Sequence, residues 1–97
     1  MKQKYIFRAS KAGVFYGELT SQENTPAGTI VEIANCRRIW YWNGAASLSE
    51  LAMTGPKKEG SKFSVTVPSI KVIGVIEIIP CTPEAQQAIE AVEEWRA

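Results

Sequence analysis

Seven consecutive residues concentrate the chemistry of this chain: Arg37, Arg38, Ile39, Trp40, Tyr41, Trp42 and Asn43. On an extended strand successive side chains alternate in direction, so Arg38, Trp40 and Trp42 are expected on one face and Arg37, Ile39 and Tyr41 on the other. A guanidinium beside two indoles suits an anionic aromatic ligand, whose ring stacks while the arginine pairs with phosphate. Asn43 adds an amide. Ser47 opens a Ser47-Leu48-Ser49-Glu50 capping pattern, and free N–H groups at a helix start favour an anion. Lys57, Lys58 and Lys62, in and beside residues 55–61, could close over a phosphate or an acidic partner. The expected ligand-binding set is therefore Arg37, Arg38, Trp40, Trp42, Asn43, Ser47, Lys57, Lys58 and Lys62. A packing role competes with it, since indoles fill cores and arginine stems cover them.

Other chemistries are poorly supplied. The chain has no His and no Asp. That removes histidine general bases, triads and histidine metal ligands together. Cys36 and Cys81 lack the imidazole that usually activates a thiol. Two cysteines alone do not complete a zinc site. Glu32, Glu50 and Glu77 could in principle form an acid–base pair, but Glu50 has a capping role and Glu77 sits in an apolar run, where it needs an Arg or Lys partner. Glu84, Glu90, Glu93 and Glu94 read as the wet face of a helix. No catalytic residue, metal or cofactor is expected.

The elements that position these residues read as α+β: a small, strongly bent, barrel-like antiparallel sheet of about six strands, a short internal helix and a C-terminal helix. Strands are expected over residues 5–7, 14–19, 29–33, 37–42, 62–67 and 70–79. Residues 20–28 read as a loop, Asn35 as a turn, and 57–61 as a polar loop. Gly44 reverses the chain after the aromatic strand. Pro68-Ser69 is expected to break a strand. Residues 70–79 are apolar on both faces, which suggests a central strand, and Gly74 suggests a bulge or a close approach. Thr82 and Pro83 start the second helix, whose apolar stripe is Ala85, Ala88, Ile89 and Val92, extended by Trp95.

With 97 residues the chain has room for one small domain. Eleven Lys/Arg against ten acidic residues leave a net charge of +1. That offers no global field for nucleic acid, so DNA is not an expected partner. The longest apolar run is far short of a membrane span. Low cysteine usage and the lack of a signal-like apolar run near Met1 suggest a cytoplasmic protein with free thiols. The two-faced apolar strand and the three Trp residues suggest a homo-oligomer.

Three segments carry a resemblance: Ala12-Gly13-Val14-Phe15-Tyr16-Gly17, then Arg37-Arg38-Ile39-Trp40-Tyr41-Trp42-Asn43-Gly44-Ala45-Ala46-Ser47-Leu48-Ser49-Glu50-Leu51-Ala52, then Ile76-Glu77-Ile78-Ile79-Pro80-Cys81-Thr82. Over most of its length the chain resembles a family of small tailed-phage and prophage proteins with no established activity. The resemblance implies a phage setting and a bacterial host cytoplasm, and supplies no catalytic residues. Two functions are expected from it together with the residues. One is an anti-defence binding protein that sequesters a nucleotide-type host immune signal. The alternative is a protein-interaction module that binds and inhibits a host or phage protein.

Overall fold

The computed structural model describes residues 2–97. Five strands form in the β-branched and aromatic stretches: β1 (Tyr5–Ala9), β2 (Gly13–Thr25), β3 (Gly28–Asn43), β4 (Lys57–Phe63) and β5 (Val67–Pro80). Helix α1 (Leu48–Thr54) follows β3, and α2 (Pro83–Glu90) follows β5. The strands pair antiparallel in the order β2-β1-β5-β3-β4. Strand β2 also pairs with β3. Strands β1, β2, β3 and β5 therefore close on one another, and the sheet bends as such closure requires.

Two long strands make this closure possible. Strand β3 pairs with β5 through its first half and with β4 through its second. Its other edge follows β2 from Ile39 back to Gly28. Thr25 and Gly28 are paired across a two-residue turn. The Thr25 hydroxyl donates to the Gly28 carbonyl at 2.7 Å, tying that turn. The strands bend where their register slips, between Tyr16 and Glu18 and between Leu19 and Ser21. At the first slip a β-carbon on Gly17 would lie 2.6 Å from Ile33 Cγ2 and 2.8 Å from the Ala34 carbonyl oxygen, so only glycine allows this approach. Opposite, Asn35 adopts φ 49°, a left-handed conformation that asparagine tolerates.

Two apolar clusters fill the interior. Phe7, Phe15, Val31, Ile33, Cys36 and Val72 form one between the strands. The other joins Ile6, Tyr16, Ile39 and Phe63 to Leu51 of α1 and Ile89 of α2. Both helices carry the caps their sequences specify. The Ser47 hydroxyl accepts from Glu50 N, and the Thr82 hydroxyl accepts from Ala85 N. Among the described residues no helix is long and apolar enough to cross a membrane.

The α+β architecture is as the sequence suggests, with five strands where six are expected. The difference in number has one source, and two further stretches change the bounds of strands without changing their count. Asn35 makes a bulge instead of a turn, so residues 29–33 and 37–42 belong to one strand. Residues 20–25, read as loop, continue β2 because β3 offers its ladder. Residues 57–61, also read as loop, begin β4, while 64–66 form the connection to β5. Pro68 lies within β5 and breaks nothing. Gly74, by contrast, sits where a bulge is expected, at φ 83° and between residues paired with Thr29 and Ile30. Trp95 is not on α2, which ends at Glu90. Its backbone runs beside Phe63, with Trp95 N donating to the Phe63 carbonyl at 2.8 Å.

Candidate functional site

The structure distributes the aromatic strand over three environments. Alternation holds from Arg37 to Trp40, with Arg37 and Ile39 inside and Arg38 and Trp40 outside. It then fails, because β3 slips against β4 between Ile39 and Tyr41 and again between Tyr41 and Asn43. Trp42 consequently turns inward. It packs on the cluster that holds Ile39 and Leu51, and its indole N–H donates to the Ala45 carbonyl at 3.1 Å. The expected face of Arg38, Trp40 and Trp42 is therefore not assembled.

Several other expected site residues hold the backbone in place. Arg38 Nη1 donates to the Ala12 carbonyl at 2.9 Å, and its guanidinium lies 4.7 Å from the Phe15 ring centre. Asn43 Nδ2 donates to the Glu59 carbonyl and joins β3 to β4. Ser47 caps α1, and the Glu50 carboxylate accepts from Ala46 N at 2.6 Å. This start of a seven-residue helix is already engaged by its own side chains. Lys57 packs its stem against Gly44.

Trp40 finds a partner that no local pattern announces. Its ring stacks on Trp95, with centroids 6.4 Å apart and planes at 25°. Both stay open to solvent, at 67% and 52%. The Lys62 ammonium lies 5.1 Å from the Trp95 ring centre, within cation–π range. Beside Trp95 an open groove of about 310 Å³ is lined by Lys58, Glu59, Ser61, Glu93 and Glu94. Glu94 also pairs with Arg96. Lysines and carboxylates are thus mixed along the groove, and a phosphate placed there would meet both.

Arg37 occupies a second place. Its side chain is 5% exposed. Nε donates to the Ser64 carbonyl at 3.1 Å and Nη1 to the Ile89 carbonyl at 3.0 Å. The guanidinium lies 5.2 Å from the Phe63 ring centre. Nη2 is buried without a hydrogen-bond partner among the described residues. Arg37 is among the residues that line a second open groove of about 290 Å³, with Lys4, Tyr16, Thr66, Glu90 and Glu94. Glu90 Oε2 accepts from Lys4 Nζ and from the Tyr16 hydroxyl, each at 2.6 Å.

The titrations follow from these contacts. Burial alone would raise the Glu90 carboxyl, but the hydrogen bonds from Lys4 and Tyr16 outweigh it and the net shift is downward. Burial, then the bond to Glu90, pushes the Tyr16 phenol upward. Desolvation lowers Arg37. The hydrogen bond from Thr66 N, then that from Arg96, lowers Glu94.

Lys4 and Tyr16 escaped the reading of the sequence, in which Glu90 and Glu94 are only the wet face of a helix; Glu93 and Glu94 lie beyond α2, which ends at Glu90. Lys4 and Tyr16 touch Glu90 across 86 and 74 positions, and no motif spans such distances. Cys36 and Cys81 are free and buried, and burial pushes each up to about 12. Glu77 has the partner it needs, Arg8 at 2.9 Å, although the pair is half-exposed on the β1–β5 ladder. Of the carboxylates considered for an acid–base pair, Glu50 is engaged in capping α1 and Glu77 is paired with Arg8; among the described residues no group of three acidic or cysteine side chains could hold a metal ion.

Residues 2–89 match the family model of a domain of unknown function, DUF6948. Glu94 and Trp95 lie beyond the matched segment. Neither the curated proteins nor the solved structures yield a match.

Proposed function

We propose, for a chain that belongs to the DUF6948 family, that it acts by binding a partner protein and not by catalysis. One observation carries this reading: the stacked pair Trp40 and Trp95 stands in solvent. Two indoles at a surface offer large apolar area with few rotors, the composition of interface hot spots. Lys58, Lys62, Glu59 and Glu93 surround them as a mixed-charge rim, the pattern of a protein contact. The partner that fits is a protein presenting an apolar side chain to the indoles and both charge signs around it. In the phage setting that the resemblance implies, that partner is a host or phage protein in a bacterial cytoplasm.

The test compares affinity capture by the wild-type chain with capture by the Trp40→Ala/Trp95→Ala double variant. A protein retained by the first and lost by the second supports the reading. Equal capture by both, or none by either, overturns it.

A second reading keeps the nucleotide-type ligand. Its support is the Lys62 ammonium poised over Trp95, with Lys58 in the adjoining groove. A base would stack on the exposed indole and the lysines would take the phosphate. Neither lysine is in an ion pair among the described residues. The arginines that would grip phosphate in a bidentate fashion are engaged elsewhere. That is why this reading ranks second. A panel of cyclic and linear nucleotides decides it. A ligand at about 100 times its Kd adds roughly 2.7 kcal/mol, a rise of several degrees in Tm. Such a rise, lost in Trp95→Ala, would replace the first reading with the second.

A further inference from the structure

Two bulges shape the outer face of β5. Val72, Val75 and Ile78 all pack on the inner apolar cluster, three residues apart where a regular strand would space them by two. Gly74, at φ 83°, is the extra residue against β3, and Ile76 and Glu77 together stand opposite the single Arg8 of β1. Ile73, Ile76 and Glu77 therefore face outward, in line with Lys71. Ile73 is 64% and Ile76 58% exposed, and neither belongs to either apolar cluster. Half-buried Ile30 is paired with Ile73 and extends the patch across the ladder. Helices α1 and α2 lie over Ile6, Tyr16, Ile39 and Phe63 and leave this patch in solvent. Branched aliphatic side chains grouped on an open sheet face mark a contact surface.

The charges around the isoleucines say what covers them. Along β5 the exposed order is Lys71, Ile73, Ile76, Glu77, a cation at one end and a carboxylate at the other. Each is matched across the ladder by its opposite, Lys71 by Glu32 of β3 and Glu77 by Arg8 of β1. The four charges cancel, so two copies of the patch do not repel. Arg8 and Glu77 touch at 2.9 Å, whereas Lys71 and Glu32 are in no ion pair among the described residues. A strand with opposite charges at its ends and apolar residues between them is complementary to itself once one copy is turned by half a turn. An unrelated protein would need no such symmetry.

We propose that this outer face of β5 binds a second copy of the chain, in a dimer whose twofold axis passes between Ile73 and Ile76 and sets the two β5 strands antiparallel. Ile73 then lies on the partner's Ile76, and Lys71 meets the partner's Glu77. Each contact occurs twice, as an isologous interface requires. The apolar centre supplies the attraction, and the charged ends fix the register. None of these residues belongs to the Trp40–Trp95 surface or its groove, so the two readings stand or fall separately.

Light scattering of the full chain at micromolar concentration tests it. The expected mass is twice 10.7 kDa. Ile76→Ser should return the single-chain mass with an unchanged circular dichroism spectrum, since its side chain stands in solvent in the single chain. Lys71→Glu and Glu77→Lys should each weaken the dimer at least about tenfold, because like charges then face each other across the axis. Mixed in equal amounts, the two charge variants should dimerise again, since one offers carboxylates where the other offers ammonium groups. Glu77→Lys also sets a cation beside Arg8. If that variant does not fold, Lys71→Glu alone stays decisive, because Lys71 is in no ion pair of its own chain among the described residues. Any mass other than that of two chains overturns the proposal. So does a dimer that Ile76→Ser leaves intact, a dimer insensitive to Lys71→Glu, or a mixture of folded charge variants that stays apart.

Discussion

Trp95 lies on Trp40 with ring centroids 6.4 Å apart, joining residues 55 positions distant in sequence. The contact depends on the chain end running beside Phe63, where Trp95 N donates to the Phe63 carbonyl. An indole near the end of the chain and one in mid-strand thus make a single surface. Both keep more than half of their surface in solvent.

Trp40→Ala and Trp42→Ala should therefore separate. Trp40 is 67% exposed, and its loss should cost less than about 1 kcal/mol of folding stability. Trp42 packs on the cluster around Ile39 and Leu51, and its loss should cost about 2–4 kcal/mol. Chemical denaturation of the two variants checks this. Equal destabilisation would contradict the assignment of Trp42 to the core and Trp40 to the surface.

Replacing Arg37 by Met should be the costliest change among the basic residues of β3. It leaves the Ser64 and Ile89 carbonyls without their donors, at about 2–4 kcal/mol. Arg38→Met should cost about 1 kcal/mol or less, because the Ala12 carbonyl it serves is at the surface, where water replaces the bond. The order of the two melting temperatures is the readout.

Stability should fall on acidification. Glu18, Glu90 and Glu94 all have carboxyls held below their ordinary value of 4.5. A depressed carboxyl contributes stability that is present above its unfolded value and lost as pH falls through the folded one. The melting temperature should accordingly be flat near neutrality and drop below about pH 4.5. Glu90→Gln should flatten the drop, since it removes the carboxylate that Lys4 and Tyr16 share. An unchanged acid profile in that variant would remove Glu90 from this account.

Cys36 and Cys81 should resist alkylation in the native state at pH 8. Burial pushes both thiols up to about 12, so little thiolate is present. In denaturant without reductant both should label, and intact mass counts the additions. Rapid labelling of either thiol before denaturation would contradict its burial.

Self-association has a concrete carrier in Ile73 and Ile76, which are 64% and 58% exposed on β5. The bulge at Gly74 lies between them, so residues three apart both face outward. Light scattering should give a multiple of 10.7 kDa, and Ile73→Lys should return the single-chain mass. A wild-type protein that is monomeric at micromolar concentration would remove this expectation.

Local rules were enough for much of this molecule. Ser47 and Thr82 cap their helices because a hydroxyl ahead of an apolar stripe meets the first free N–H groups. Alternation separated Arg38 and Trp40 from Arg37 and Ile39 as far as the ladder stayed regular, and the folded sheet decided which face lies inside. Gly74 marked its bulge, and the α+β class followed from the order of apolar runs. Tertiary structure decided the remainder. Polar residues 20–25 and 57–61 are strands because neighbouring strands satisfy their backbone groups, a matter of long-range pairing and not of side-chain type. Register slips between β3 and β4 turned Trp42 inward, and no spacing in one strand reveals a slip caused by another. Arg37 acquired its fixed guanidinium and its free nitrogen only once Ser64 and Ile89 arrived from elsewhere in the chain. Composition could exclude histidine chemistry at once, but a site made of Lys4, Tyr16, Arg37 and Glu90 exists only after the ends of the chain are brought together.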